Sequence, residues 1–159
     1  MKNSRHISLN TNTADDTASL AQQISQALGP GDCLLLEGPI GAGKTHFGRS
    51  LIQALLPVTE DVPSPTFTLV QTYQGPDCEI WHSDLYRLSH PDDVAELGLT
   101  QAFDEAICLV EWPDRLGTLA PSDALTLLFA TDPDMADHRQ ITLQWHHKKW
   151  APLIAELSK

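Results

Sequence analysis

Basic residues are scarce in this chain: 10 lysines and arginines stand against 21 aspartates and glutamates, a formal net charge of −11. A protein that grips nucleic acid unaided needs a basic stripe to neutralise phosphates. The only local cluster, His146-His147-Lys148-Lys149, is too short to be one. The acidic balance suits solubility, or docking onto a basic partner protein. Cysteine is also sparse. Cys33, Cys78 and Cys108 are odd in number and form no C-x-x-C pair, which argues against a disulfide framework or a cysteine zinc site and predicts a cytoplasmic protein. No apolar run approaches the roughly 18 residues of a membrane span, so no membrane association is expected. The N-terminal MKNSRHISLNTNTADD has no apolar segment behind its basic residues, so no signal peptide is expected. Asparagine occurs only at positions 3, 10 and 12, which excludes an N-K-x-D segment that would read guanine.

Repeats, low-complexity tracts and Gly/Ser linkers are absent as well. With 159 residues, 42% of them apolar, residues 1–159 are expected to form a single domain around a real core. Leu20, Ile24, Ala27 and Leu28 recur at helical spacing, predicting a helix over 16–28 that Gly29-Pro30-Gly31 stops. Cys33–Leu36 is a short apolar run fit for a buried strand. A glycine-rich turn follows, then a helix from about 44 to 56. Residues 66–73 and 79–86 read as a hairpin closed by Gln74-Gly75-Pro76-Asp77, with His82, Asp84 and Tyr86 alternating onto one face. Short helices are predicted from Pro91 to Gly98 and over 100–106, and a buried strand over 107–110 that ends at Glu111. A strand pair at 124–130 and 139–145 and a terminal helix at 151–157 complete the reading. Helices mixed with fully apolar strands predict a three-layer α/β sandwich with a mixed, partly parallel central sheet.

Gly38-Pro39-Ile40-Gly41-Ala42-Gly43-Lys44-Thr45 matches G-x-x-x-x-G-K-[ST], with a predicted strand before it and a helix after it. Successive backbone N–H groups converge on a phosphate only where bulky side chains are missing. The helix that follows turns its N-terminal N–H groups and positive dipole end to the same phosphates. Lys44 would reach the β- and γ-phosphates and the Thr45 hydroxyl would ligate Mg²⁺. Glu111, at the end of an apolar strand, stands where P-loop proteins place the acid that helps hold the metal; the plain alternative is a solvated loop glutamate. For Asp84 the alternative is a salt bridge to Arg87 or Arg115. His82 reads equally as a packed histidine or a functional one. Trp112, beside Glu111, is placed to cover a site.

Read together with this loop, Ser64-Pro65-Thr66-Phe67-Thr68-Leu69-Val70, His82-Ser83-Asp84-Leu85-Tyr86-Arg87 and Ile107-Cys108-Leu109-Val110-Glu111-Trp112 resemble the TsaE (YjeE) family over residues 17–145. The resemblance implies a P-loop NTPase fold and the ATPase of tRNA threonylcarbamoyladenosine modification, working with TsaB and TsaD and resetting their complex by hydrolysis. It implies ATP on Gly38 to Thr45 and Mg²⁺ on Thr45 and Glu111. Thr66 would sit in a switch-like loop, Asp84 would support metal or water, and Trp112 would lie near the nucleotide. Pro39 and His46 depart from the family's usual residues without removing a phosphate ligand, and His46 adds a titratable group to the cofactor site. Location alone puts Thr13–Thr17 and Arg139 near the adenine. With a charge of −11, direct tRNA binding by the chain alone is not expected.

Two rival readings use the same loop. A small-molecule P-loop kinase relies on cationic clamps on a lid, yet no Lys or Arg lies between Arg115 and Arg139. A nucleotide-gated adaptor that hardly hydrolyses ATP needs the same residues as a slow ATPase.

Overall fold

Thr13 begins the first helix. Its backbone is extended and its hydroxyl accepts from the Asp16 N–H at 3.1 Å, so α1 runs Ala14–Ser25, earlier at both ends than the periodicity predicts. The computed structural model describes residues 5–58, 60–65, 68–90 and 92–159. Thr66 and Pro91, both named above, lie outside them. Before α1 comes a strand, β1 (Arg5–Thr11), that the sequence reading did not predict. Its Ile7 and Leu9 alternate, but both edges of that signal are polar and six of its seven residues are no more than half-buried.

The remaining elements follow in order: β2 (Cys33–Glu37), α2 (Lys44–Leu55), β3 (Val70–Gln74), β4 (Glu79–Asp84), α3 (Asp92–Glu96), α4 (Leu99–Glu105), β5 (Ile107–Glu111), β6 (Leu125–Asp132), β7 (Met135–Trp145) and α5 (Ala151–Leu157). A 3₁₀ stretch over Pro113–Leu119 links β5 to β6. The predicted first hairpin strand starts later than position 66: residues 68 and 69 form a turn, with Leu69 at φ 67°. The second ends at Asp84, where Leu85 N donates to Glu111 O and Asp84 Oδ1 accepts from Tyr86 N. Of the alternating trio, His82 and Asp84 therefore stay on the strand and Tyr86 leaves it.

Seven strands form one sheet in the order β1-β7-β6-β2-β5-β4-β3. β6, β2, β5 and β4 run parallel, while the outer pairings are antiparallel. Period-2 alternation sends successive side chains to opposite faces. Leu34 and Leu36 of β2 and Ile107 and Leu109 of β5 pack under α1, α2 and α5. Cys33, Leu35, Cys108 and Val110 pack against α3 and α4. The expected three-layer sandwich with a mixed sheet is what forms. Phe47, fully buried in α2 and edge-on to Phe129 at 5.5 Å, ties the helix after the glycine loop to β6. Its truncation to Ala would cost about 3–5 kcal/mol. No helix among the described residues is long and apolar enough to cross a membrane.

Candidate nucleotide site

The loop between β2 and α2 begins with a glycine that nothing else can replace. A Cβ at Gly38 would stand 2.7 Å from the carbonyl oxygen of Phe129. At the other end Gly43 takes φ 99° to turn the chain into α2, whose first bond, Phe47 N to Gly43 O, is 2.9 Å. Ala42 is fully buried beneath the loop and Ile40 is exposed at its tip. Arg139, placed above by location near the adenine, makes hydrogen bonds to the loop. Its Nε donates to Ala42 O at 3.0 Å and its Nη2 to Gly41 O at 3.4 Å, so it braces the loop's carbonyls from β7. His46 donates from Nε2 to Ala14 O at 3.0 Å, tying the start of α2 to the start of α1.

Two carboxylates face this loop. β4 and β5 are parallel and in register, with Asp84 beside Glu111, so both acids stand at the C-terminal ends of their strands. That is where an open α/β sheet receives its ligand. Glu111 is 2% exposed, which removes its reading as a solvated loop residue. Thr45 Oγ1 donates to its Oε1 at 2.8 Å, and His82 Nε2 stands 2.8 Å from its Oε2. The link from Thr45 joins the glycine loop to the strand-end acid across 66 positions of sequence.

Lys44 lies over these acids. Its Nζ donates to Gly38 O at 2.6 Å and sits 3.4 Å from the centre of the Trp112 ring, a cation–π contact. Burial lowers its pKa from the usual lysine value, against the pull of Glu111, Asp84, Asp114 and Glu37. Trp112 is held in the left-handed region at φ 58°, ψ 53°, a conformation that costs a residue with a side chain about 1 kcal/mol or more. That turn brings its indole back over Lys44, with Tyr86 against the ring at 4.9 Å.

The result is a cavity of about 410 Å³. Ile40, Gly41, Gly43, Lys44, Thr45 and His46 line one side, and Asp84, Tyr86, Arg87, Glu111 and Trp112 the other. Gly38, Pro39 and Ala42 shape the loop behind. The described loop residues, Asp84, Glu111 and Trp112 are thus in the loop or around one space, whereas Thr13–Thr17 do not line it. Tyr86, read above as sharing a face with Asp84, lines the cavity, and Arg139 holds the loop through Ala42 O and Gly41 O. Among the described residues, no three His, Cys, Asp or Glu side chains are grouped to hold a metal alone. A hydroxyl and a carboxylate at 2.8 Å are nonetheless hard oxygen donors that fit Mg²⁺, which keeps several waters and takes other ligands from phosphates.

A family model described as threonylcarbamoyl adenosine biosynthesis protein TsaE matches residues 11–141. The chain is 41% identical over 103 residues to the tRNA threonylcarbamoyladenosine biosynthesis protein TsaE of Rickettsia conorii, covering 65% of this chain and 59% of that protein. It is 34% identical over 146 residues to the protein of the same name from Bacillus subtilis, covering 91% of this chain and 89% of that one. The chain therefore spans 59% and 60% of the length of the Rickettsia conorii and Rickettsia felis relatives, and most of the Bacillus one. The crystal structure of Bacillus subtilis YdiB superposes with a TM-score of 0.79 at 29% identity, covering 99% of this chain and 97% of that one. The fold is that of the P-loop NTPases.

Proposed function

The chain belongs to the TsaE family, and from that premise we propose that it is a Mg²⁺-dependent ATPase of the tRNA threonylcarbamoyladenosine modification machinery, slow alone and stimulated by TsaB and TsaD. The observation that carries this reading is the Thr45–Glu111 hydrogen bond beneath Lys44, because it brings a phosphate loop and a metal-binding acid to one point. Residues 1–159 act as one cytoplasmic P-loop ATPase domain. Backbone N–H groups of Gly38 to Thr45, with Pro39, Ile40, Gly41, Ala42 and Gly43 between, hold the phosphate chain of ATP. Lys44 supplies the charge met by the β- and γ-phosphates. Thr45 and Glu111 would hold Mg²⁺, which when bound offsets negative charge developing on the phosphate oxygens. Asp84, 5% exposed and in register with Glu111, orients water at the same point. Trp112 covers the nucleotide once Lys44 turns to the phosphates, and His46 stands at the cavity wall. Thr66 belongs to a switch-like loop; its place rests on the family's segment alone.

The same charge argument assigns the tRNA to other subunits. Of the basic cluster at 146–149, Lys149 is already engaged by Asp32 and Asp123. A chain at −11 would be repelled by tRNA phosphates. The test is sizing chromatography of this protein mixed with TsaB and TsaD in ATP and in ADP, with turnover measured alone and in the mixture. Association favoured by ATP and faster turnover in the mixture are expected. A tight gel shift of tRNA by the isolated chain, or association indifferent to nucleotide, would overturn the reading. Phosphate transfer to an added acceptor would turn it into a kinase, and binding without turnover in any mixture into an adaptor.

A further inference from the structure

Gly48 stands in the interior of α2, where glycine costs about 1 kcal/mol relative to alanine. Its φ is not positive, so the path of the chain does not call for glycine. What calls for it is a neighbour. A Cβ at position 48 would lie 3.0 Å from Nε2 of His82 and 3.3 Å from its Cε1. The imidazole of His82 is fully buried in the space that this missing Cβ leaves.

We infer that His82 is a positioning residue for Glu111 and that Gly48 supplies the room its ring requires; the inference rests on the reading of Glu111 as a holder of Mg²⁺. A carboxylate only accepts hydrogen bonds, so the 2.8 Å contact puts the proton on Nε2, which donates to Oε2. Thr45 takes Oε1 from the opposite side at 2.8 Å. Two donors on two oxygens fix the rotation of the carboxylate and leave its Oε1 edge facing the phosphate loop. Packing does not account for this histidine. Its Nδ1 is buried without a partner among the described residues, which costs about 1–3 kcal/mol, and an apolar side chain of similar size would avoid that cost. A group that orients a metal-binding carboxylate is worth about 10–100-fold in metal affinity.

The experiment uses the purified full chain and two readouts, ADP affinity in EDTA and Mn²⁺ affinity of the ADP-loaded protein by electron paramagnetic resonance. His82→Leu is expected to weaken Mn²⁺ about 10-fold or more while metal-free ADP binding changes less than about twofold. His82→Gln places an amide N–H where Nε2 stands and is expected to change Mn²⁺ affinity by less than about 1.5-fold. Equal loss in both variants, or loss in neither, overturns the inference. If thermal melting shows that His82→Leu does not fold, Gly48→Ala carries the test against His82→Gln. The alanine strengthens the helix yet crowds the ring, so Mn²⁺ should weaken about threefold, and an unchanged Mn²⁺ affinity overturns the inference. Glu111→Gln is the control. Should it leave Mn²⁺ binding unchanged, the metal reading of the site fails first, and the role of His82 with it.

Discussion

Each end of the parallel strands carries one lysine among carboxylates, and the two are held in opposite ways. At the N-terminal ends of β2 and β6, Lys149 is clasped by Asp32 at 2.9 Å and Asp123 at 2.8 Å. Burial alone would lower its pKa, but the hydrogen bonds it donates to both carboxylates outweigh this and the pKa rises. At the C-terminal ends, Lys44 has Glu111 and Asp84 nearby, yet it rests on a carbonyl and an indole ring, and burial lowers its pKa. The first lysine has complete partners and closes the C-terminal turn, where Trp150 Nε1 also donates to Asp123 O at 2.7 Å. The second keeps a charge in a cavity where its neighbours do not satisfy it. A lysine fully matched by the fold is structural. One the fold leaves undermatched beside a glycine loop keeps charge that a ligand could meet.

The sharpest way to break this comparison is to remove each charge. Lys44→Ala is expected to lower ATP hydrolysis by ~10²-fold or more, as for other lost transition-state stabilisers, with no loss of melting temperature. Lys149→Met should do the reverse, leaving turnover unchanged. A lysine variant that moves both properties alike would erase the distinction.

Glu111→Gln, next in size, keeps the shape and removes the charge. Turnover with Mg²⁺ should fall about 10-fold or more while nucleotide binding in EDTA falls much less. An equal loss in both assays would make Glu111 structural, like the acids around Lys149.

Lys149→Met should cost about 1 kcal/mol by denaturant unfolding, discounted because Asp123 is 40% exposed. Its pH dependence follows from the two shifts. For Asp123, burial raises the carboxyl pKa, but the bond from Lys149 more than reverses this and holds it below the usual value. That contribution is present above the ordinary carboxylate pKa of about 3.9 and is lost as pH falls through the lower folded value. Lys149, raised, contributes below the ordinary lysine pKa of about 10.4 and loses it as pH rises through the folded value. The stability gap between parent and variant should therefore be widest between these limits and close at both.

The smallest effect concerns the thiols. Burial pushes Cys108 up to about 12 and Cys33 well above the usual range, and both are fully buried between the layers. Iodoacetamide at pH 8, followed by mass spectrometry, should mark half-buried Cys78 first and the other two only in denaturant. Native labelling of Cys33 would mean that the sheet opens near Lys149.

Much of this site was legible in the chain because its signals are local. Gly38 to Thr45 carries its meaning in eight consecutive residues, and a strand-end acid after Ile107–Val110 is read from a single apolar run. β1 escaped because an edge strand half in water needs little hydrophobic patterning; it is fixed by its pairing with β7, Leu9 opposite Ile141. The end of β4 was misplaced by two residues because a contact from outside it, Leu85 N to Glu111 O, decides where the strand stops. The hydrogen bonds of Arg139 to the loop carbonyls were not legible, because position along the chain says nothing of direction.

The sequence by itself determined the chemistry available: a glycine-rich loop, one lysine, one hydroxyl, two carboxylates and a net charge of −11. These follow from residue type and short spacing, which the unfolded chain already contains. Tertiary structure alone decided which groups meet. It set Glu111 between Thr45 and His82, put the His82 ring in the gap at Gly48, turned Arg139 onto the loop and left Lys44 over Trp112 rather than on an acid. The reason is physical. Hydrogen bonds and burial act over a few ångströms, and only packing the sheet between its helices brings residues tens of positions apart within that reach.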